Sequence, residues 1–181
     1  MQVLAKQVHT LLSRELADAL QVQGFSRIQG SSFAWTRQES DGHLTLWAQC
    51  DRHGWDKLWG STFTLELQLA PTAGVATGGI SDRHRLAHML DAAELEDMRV
   101  RNNKVIEELP GSVAGSAVDY MEPDGTCTTI IGFKPISEPY AQGIDAWMHY
   151  YTSEHVLGWA QLLRVLLPRL VLRVHAVATA S

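Results

Sequence analysis

The segment Ser61-Thr62-Phe63-Thr64-Leu65-Glu66-Leu67-Gln68-Leu69-Ala70 alternates apolar and polar side chains. Successive side chains of a β-strand point to opposite faces of a sheet, so the alternation predicts a strand with one buried and one wetter face. Residues 31–37 and 43–50 alternate in the same way. Between them lies Glu39-Ser40-Asp41-Gly42, whose Asp-Gly pair is a strong hairpin signal. Together these segments predict a three-stranded antiparallel meander at the centre of the fold.

Two helical segments are predicted on either side of the meander in sequence. Residues 2–22 carry an apolar stripe at helical spacing, and Gly24 lies where a left-handed glycine ends a helix. A second helical pattern, with Ser81 as its cap, runs over residues 82–109. It is long for a globular protein, so a break near 91–94 is expected.

Later segments of the chain predict one or two further strands. Residues 126–133 are rich in Thr and Ile, and residues 144–151 alternate, whereas residues 112–120 fit no single pattern. The predicted fold class is therefore α+β, in a single domain spanning residues 1–181. An antiparallel sheet, the meander plus these later strands, is covered by an N-terminal helix, a middle helical segment and a C-terminal helix.

The C-terminal helix is predicted to begin at Thr152 or Ser153, either of which can cap its first turn. Proline lacks an amide hydrogen and clashes with the preceding turn, so Pro168 is expected to kink or end the helix. Residues 169–177 also alternate with period two, and a strand there is the alternative.

The C-terminal helix is more apolar than a single buried face requires. Its excess lies at Leu162, Val165 and Leu166, which either another helix or a second copy of the chain must cover. A homodimer through this helix is the resulting prediction. No membrane span is predicted, because arginines at mid-membrane are costly. The helix carries three: Arg164, Arg169 and Arg173.

Composition restricts the classes of function. The chain has 15 Lys and Arg residues against 20 Asp and Glu residues, a formal net charge of −5, which argues against a nucleic-acid partner. Its two cysteines, Cys50 and Cys127, make no disulfide framework. Polar residues interrupt the first apolar run, so no signal peptide is predicted and a cytoplasmic location is expected.

Motifs for catalysis or metal binding are weak. His84 and His88 have the spacing of two zinc ligands on one helix face, but Arg83 and Arg85 beside them would repel a cation. No nucleophile elbow or phosphate loop is present. The sequence therefore predicts no catalytic residue, metal ligand or cofactor.

The segment between the second and third predicted strands is the candidate binding site. Aromatic and basic residues together on a loop are typical of binding hot spots. The candidates are Arg52, His53, Trp55, Lys57 and Trp59. The alternative is that both indole rings fold back onto the sheet and complete the core.

The order of elements resembles the bacterial domain-of-unknown-function family numbered forty-three-oh-four. The resemblance covers roughly residues 5–170 and rests on hydrophobic-pattern motifs. They are Gly24-Phe25, Phe33 and Arg37, Phe63-Thr64-Leu65-Glu66-Leu67, and Ser153-Glu154-His155-Val156-Leu157-Gly158-Trp159. It implies an α+β fold and an intracellular bacterial origin, and it supplies no catalytic residue.

The absence of catalytic motifs, the acidic balance and the surplus of aromatic residues favour a non-enzymatic binding protein. An inhibitor or immunity-type protein with a protein partner is the leading hypothesis. The alternative is an enzyme or small-ligand-binding protein whose pocket lies between sheet and helices.

Overall fold

The computed structural model describes residues 2–40, 42–75, 83–112, 117–121, 125, 127–131 and 135–178, with side-chain environments for all but 117–121, 127–131 and 175–178. The strands are β1 (Ser26–Arg27), β2 (Ala34–Glu39), β3 (Gly42–Cys50), β4 (Ser61–Ala70), β5 (Arg83–Arg85), β6 (Ala117–Met121), β7 (Cys127–Ile131) and β8 (Met148–Tyr150). The helices are α1 (Ala5–Val22), α2 (Leu86–Met89), α3 (Ala92–Glu108) and α4 (Ser153–Ala178), and a 3₁₀ turn spans Pro110–Ser112.

The sheet confirms the predicted meander and the α+β class. Strands β1 to β5 are antiparallel neighbours in chain order, and β8 pairs with β4 on the same edge as β5. The register places Leu46 between Trp35 and Leu67. Glu39 pairs with Gly42 across the first hairpin, whose Asp41 lies outside the described residues. The local alternation and turn residues were sufficient to specify this part of the fold.

Helices α1 and α4 pack on the apolar face of this sheet. The large side chains at the centre of this layer are fully buried. The layer includes Leu12, Leu16, Leu46, Leu65, Leu67, Leu163 and Leu167. Gly24 has a positive φ of 82° and follows α1 directly, as predicted.

The polar face of the sheet is not wet at its centre, contrary to the prediction. Thr45, Thr64 and Glu66 are all 0% exposed. The guanidinium groups of Arg83 and Arg85 both contact the Glu66 carboxylate on this face. The aliphatic part of a long arginine side chain covers the polar face, while its guanidinium group pairs with the buried carboxylate. An alternating strand can therefore be buried on both sides.

The middle helical segment differs from the prediction. Arg83–Arg85 form β5 rather than the first helical turn, and the predicted cap at Ser81 lies outside the described residues. Strand pairing and ion pairs to Glu66 outweigh local helix propensity here. His84 is therefore in a strand and His88 in α2, so they do not share a helix face. The expected break is confirmed: Asp91 caps α3.

Helix α4 continues past Pro168 to Ala178, so Pro168 does not end the helix, and the alternative strand over 169–177 is wrong. Pro168 lies on the exposed side of the helix, as does Arg164, whose carbonyl would otherwise accept a helical hydrogen bond from residue 168. Leu167 and Leu170 are fully buried on either side of the proline. Packing of this apolar face stabilises the helix against the proline's local cost.

The later strands are shorter than predicted. Strand β7 lies within the predicted 126–133, whereas β8 covers Met148–Tyr150 out of 144–151. Strand β6, in the stretch that fitted no pattern, pairs with β7 as a separate two-stranded hairpin.

The surface that motivated the homodimer is smaller than the sequence indicated. Leu166 is buried and Leu162 packs partly against the core, while Val165 is 65% exposed. The homodimer stays a prediction, which sedimentation of the purified chain tests. By length and composition, Ser153–Val174 is the one helix among the described residues that could cross a membrane. Its most buried face belongs to the core beneath the sheet.

Candidate functional site

Two adjoining clefts lie where the ends of β3, β4 and β8 meet the loop 51–60. The first, here called the Trp147 cleft, has a volume of about 380 Å³ and is lined by Gln49, Asp51, Arg52, Thr62 and Trp147. The second, the Trp59 cleft, has a volume of about 240 Å³. It is lined by Asp51, His53, Gly54, Asp56, Trp59, Gly60, Ser61, Thr62 and His149. Asp51 and Thr62 belong to both, so the clefts are contiguous.

The structure separates the five binding candidates into different environments. Arg52 is exposed and lines the Trp147 cleft, whereas His53 and Trp59 line the Trp59 cleft. Lys57 is exposed on the same loop outside the described lining of both clefts, and Trp55 is half-buried against the core. The loop therefore brings three of the five candidates to the clefts.

Trp55 attaches the loop to the body of the protein. Its ring stacks on Tyr151 with the ring centres 5.2 Å apart, and its Nε1 donates a hydrogen bond to the Tyr151 carbonyl at 3.1 Å. The Tyr151 hydroxyl donates in turn to the Lys57 carbonyl at 3.0 Å. These contacts assign Trp55 an anchoring role rather than a place in the clefts.

Trp55→Ala is expected to lower the free energy of unfolding by about 2 kcal/mol, below the roughly 3–5 kcal/mol of a fully buried tryptophan. The loss comes from the stacked ring and the indole hydrogen bond. Urea denaturation measures it, and Lys57→Ala, expected to change stability by no more than about 0.5 kcal/mol, is the control on the same loop. Equal stabilities for both variants would contradict the anchoring role.

The rest of the loop is closed by backbone and carboxylate hydrogen bonds. Asp56 and Gly60 exchange two backbone hydrogen bonds, of 2.7 and 2.8 Å. The Asp56 carboxylate also accepts from the amides of Leu58 and Trp59, at 2.7 and 3.1 Å. Gly60 has a φ of 64°, and a Cβ there would collide with the Tyr150 carbonyl, so the turn requires glycine.

Trp59 lies against the turn that follows α3. The Gly111 amide donates to the Leu58 carbonyl at 3.0 Å, and a Cβ at Gly111 would collide with the Trp59 ring. The ring is half-buried and forms one wall of the Trp59 cleft. Trp59 thus combines packing against the turn at Gly111 with a place in the wall of a cleft, and neither sequence alternative describes it fully.

Sequence reasoning missed the cleft residues outside the loop, since no local pattern links them. Thr62 pairs with His149 because β8 joins the edge of β4. Gln49 accepts a hydrogen bond from Arg83 Nη2 at 2.8 Å, and the Arg85 guanidinium lies 5.3 Å from the centre of the Trp147 ring. The buried ion pairs of β5 thus hold two walls of the Trp147 cleft in place.

His149 is the most strongly perturbed titratable group in the clefts. Burial lowers its pKa from 6.5 to about 4, so the imidazole is neutral at neutral pH. Its amide donates to Asn102 Oδ1 at 2.8 Å, and its carbonyl accepts from Trp159 Nε1 at 2.7 Å. The residue is fixed between α3, α4 and the sheet.

The lowered pKa of His149 predicts a loss of stability in mild acid. The unfolded chain takes up a proton near pH 6.5, whereas the folded chain resists it down to about 4, so stability falls between these values. We expect a loss on the order of 2 kcal/mol, because each pKa unit is worth about 1.4 kcal/mol and His149 is partly exposed. Urea denaturation at both ends of the window measures it. Burial also lowers the pKa of His9, so His9 contributes to the same loss. In His149→Gln the loss should shrink to the part that His9 contributes.

A cysteine–histidine pair lies elsewhere, on the apolar side of the sheet. His9 Nε2 is 3.6 Å from Cys50 Sγ. Burial, with a smaller contribution from Asp51, raises the pKa of the Cys50 thiol to about 11, and burial lowers the pKa of His9. The thiol is therefore protonated at neutral pH, which is the opposite of an activated nucleophile. The described residues contain no group of three or more side chains able to hold a metal ion.

Comparison of the chain with models of known protein families, with curated proteins and with solved structures finds no significant match. The resemblance to the bacterial family named above stays a prediction, and the function is argued from the site itself.

Proposed function

We propose that the chain is a non-enzymatic binding protein, of the inhibitor or immunity type, that engages a protein partner through the loop 51–60. The observation that carries the proposal is a surface loop whose backbone is fixed by hydrogen bonds and whose charged side chains are exposed to solvent. Arg52, His53 and Lys57 are exposed around the half-buried Trp59. Tryptophan and arginine at a concave surface are the residues most enriched in binding hot spots.

The hydrogen bonds of the loop support this proposal. Three kinds of contact hold the backbone of the loop: the carboxylates of Asp51 and Asp56, two backbone hydrogen bonds within the loop, and hydrogen bonds from Tyr151 and Gly111. A loop fixed before association loses less conformational entropy on binding. Rigid presentation of exposed residues is the arrangement that a protein inhibitor needs.

Catalysis is less well supported by the same groups. The Asp51 carboxylate accepts from the His53 amide at 2.9 Å, and that of Asp56 accepts from two loop amides. These carboxylates therefore serve as turn formers. The low pKa of His149 leaves it neutral, well below the range of a general base working near pH 7. The proposal keeps the bacterial cytoplasm as the location.

The test is capture of a partner from cells of the source organism, followed by binding measurements with that partner in purified form. Arg52→Ala combined with Lys57→Ala removes two exposed positive charges from the loop. We expect this variant to weaken the affinity at least tenfold and to keep the wild-type stability.

The matched control combines Lys6→Ala with Arg164→Ala, which removes two exposed positive charges from α1 and α4. It should bind like the wild type. The proposal fails if the loop variant and the control bind equally, or if no partner is captured. It also fails if the purified chain turns over a small molecule and the loop variant abolishes that turnover, which would favour the enzyme alternative.

A further inference from the structure

We propose that the Trp147 cleft binds a neutral carbohydrate. The cleft shares Asp51 and Arg52 with the loop 51–60 but not Lys57, and the inference does not depend on the partner of that loop. The cleft is the larger of the two, at about 380 Å³. Its lining is polar, and hydrogen bonds within the protein hold that lining in place.

The lining offers both hydrogen-bond donors and acceptors with no net charge. Asp51 and Arg52 bring one charge of each sign, while Gln49 and Thr62 add an amide and a hydroxyl. A ligand that donates and accepts at several adjacent positions and carries no net charge fits this set. Vicinal hydroxyl groups of a sugar have this property.

The indole of Trp147 supplies the remaining wall. Aromatic rings pack well against flat apolar surfaces, and a pyranose ring presents such a surface through its C–H groups. Typical small-molecule pockets are lined mostly by apolar side chains. Four of the five described residues around this cleft are polar, so a ligand rich in hydroxyl groups fits better than an apolar one.

These side chains are held in place before any ligand arrives. Arg83 Nη2 donates to Gln49 Oε1 at 2.8 Å, which holds the Gln49 side chain in place at the cleft. Arg85 lies over one side of Trp147, whose carbonyl accepts from Asn102 at 2.9 Å. Asp51 donates its amide to the Thr62 carbonyl at 2.9 Å, which joins the remaining walls. Preorganisation reduces the entropic cost of binding a weakly held ligand.

The size of the cleft is also compatible with a sugar. Water occupies about 30 Å³ in the liquid, so the cleft holds roughly a dozen waters. That is room for one or two sugar rings and near the lower limit of about 300 Å³ for ligand pockets. A partner's folded element is too large to enter it.

The experiment titrates a broad panel of neutral mono- and disaccharides, at millimolar concentrations, against the wild-type chain. Saturation-transfer NMR detects binding, and tryptophan fluorescence gives the affinity. Adenosine, arginine methyl ester and glutarate are the planar, cationic and anionic comparison probes. At least one sugar should bind saturably, and more tightly than all three comparison probes.

Thr62→Val tests whether the site is the Trp147 cleft, because it removes one hydroxyl without changing the shape. It should weaken sugar binding at least tenfold, while Thr72→Val, at an exposed position after β4, should leave it unchanged. Circular dichroism confirms that both variants fold. The inference is overturned if no sugar binds, if a comparison probe binds more tightly, or if Thr62→Val binds like the wild type. Lys57→Ala, outside this cleft, should keep sugar binding even where it weakens the partner.

Discussion

Replacing Glu66 with alanine is expected to lower the free energy of unfolding by about 3–5 kcal/mol, the largest effect of any single change considered. Glu66 is 0% exposed and accepts from both Arg83 and Arg85. Arg83 also donates to Gln49 and lies over the Trp47 ring, and Arg85 also pairs with Asp145 and lies over the Trp147 ring. Without Glu66, two partly buried guanidinium groups lose the carboxylate that compensates them.

Urea denaturation of Glu66→Ala measures this loss, and Glu96→Ala is the matched control. Glu96 on α3 also pairs with an arginine, Arg99, but its side chain is 46% exposed. The exposed pair is screened by solvent, so its removal should cost far less stability than Glu66→Ala. Comparable losses in the two variants would show that burial does not strengthen the Glu66 network.

A third variant separates charge from packing. Replacing Glu66, Arg83 and Arg85 together with methionine removes the three charges at the centre of the network and retains much of its volume, and it leaves only Asp145, whose side chain is 47% exposed. Buried ion pairs are often replaceable by apolar groups at little cost, so this variant should be more stable than Glu66→Ala. A triple variant that is less stable would indicate that shape, not the unpaired charge, determines the loss.

Asn102→Ala is expected to cost about 3 kcal/mol, the second largest effect. Asn102 is 0% exposed. Its Nδ2 donates to the Tyr140 hydroxyl at 3.0 Å and the Trp147 carbonyl at 2.9 Å, and its Oδ1 accepts from the His149 amide at 2.8 Å. Alanine would leave these groups buried and unpaired.

Asn103→Ala is the control for Asn102, one residue further along α3. Asn103 is half-buried and exchanges hydrogen bonds with the backbone of Ile136, at 2.6 and 3.0 Å. Its removal should cost about 1 kcal/mol. Asn102→Ala should also shift the Trp147 indole resonance in NMR spectra, because Asn102 binds the Trp147 carbonyl and the His149 amide, where the chain enters β8. Unchanged resonances with equal stability losses would refute this role.

Local patterns in the sequence were sufficient for the meander and the helices that cover it. The alternation of Ser61–Ala70 and the stripe of α1 reflect geometry that each segment has by itself. Gly24 after α1 is also a local signal, since a cap is formed by residues next to the helix end, and the break near 91–94 was predicted although the cap at Asp91 was not. The candidate loop was recognisable for the same reason.

Tertiary structure decided which side of each pattern is buried and where the clefts lie. Arg83–Arg85 form a strand because Glu66, on a neighbouring strand, supplies the buried charge that they pair with. Thr62 and His149 meet because β8 returns to β4 late in the chain. The sequence by itself determined the meander and α1, since their side-chain directions repeat within each segment. The clefts depend on pairing between distant segments, whose partners no local periodicity specifies.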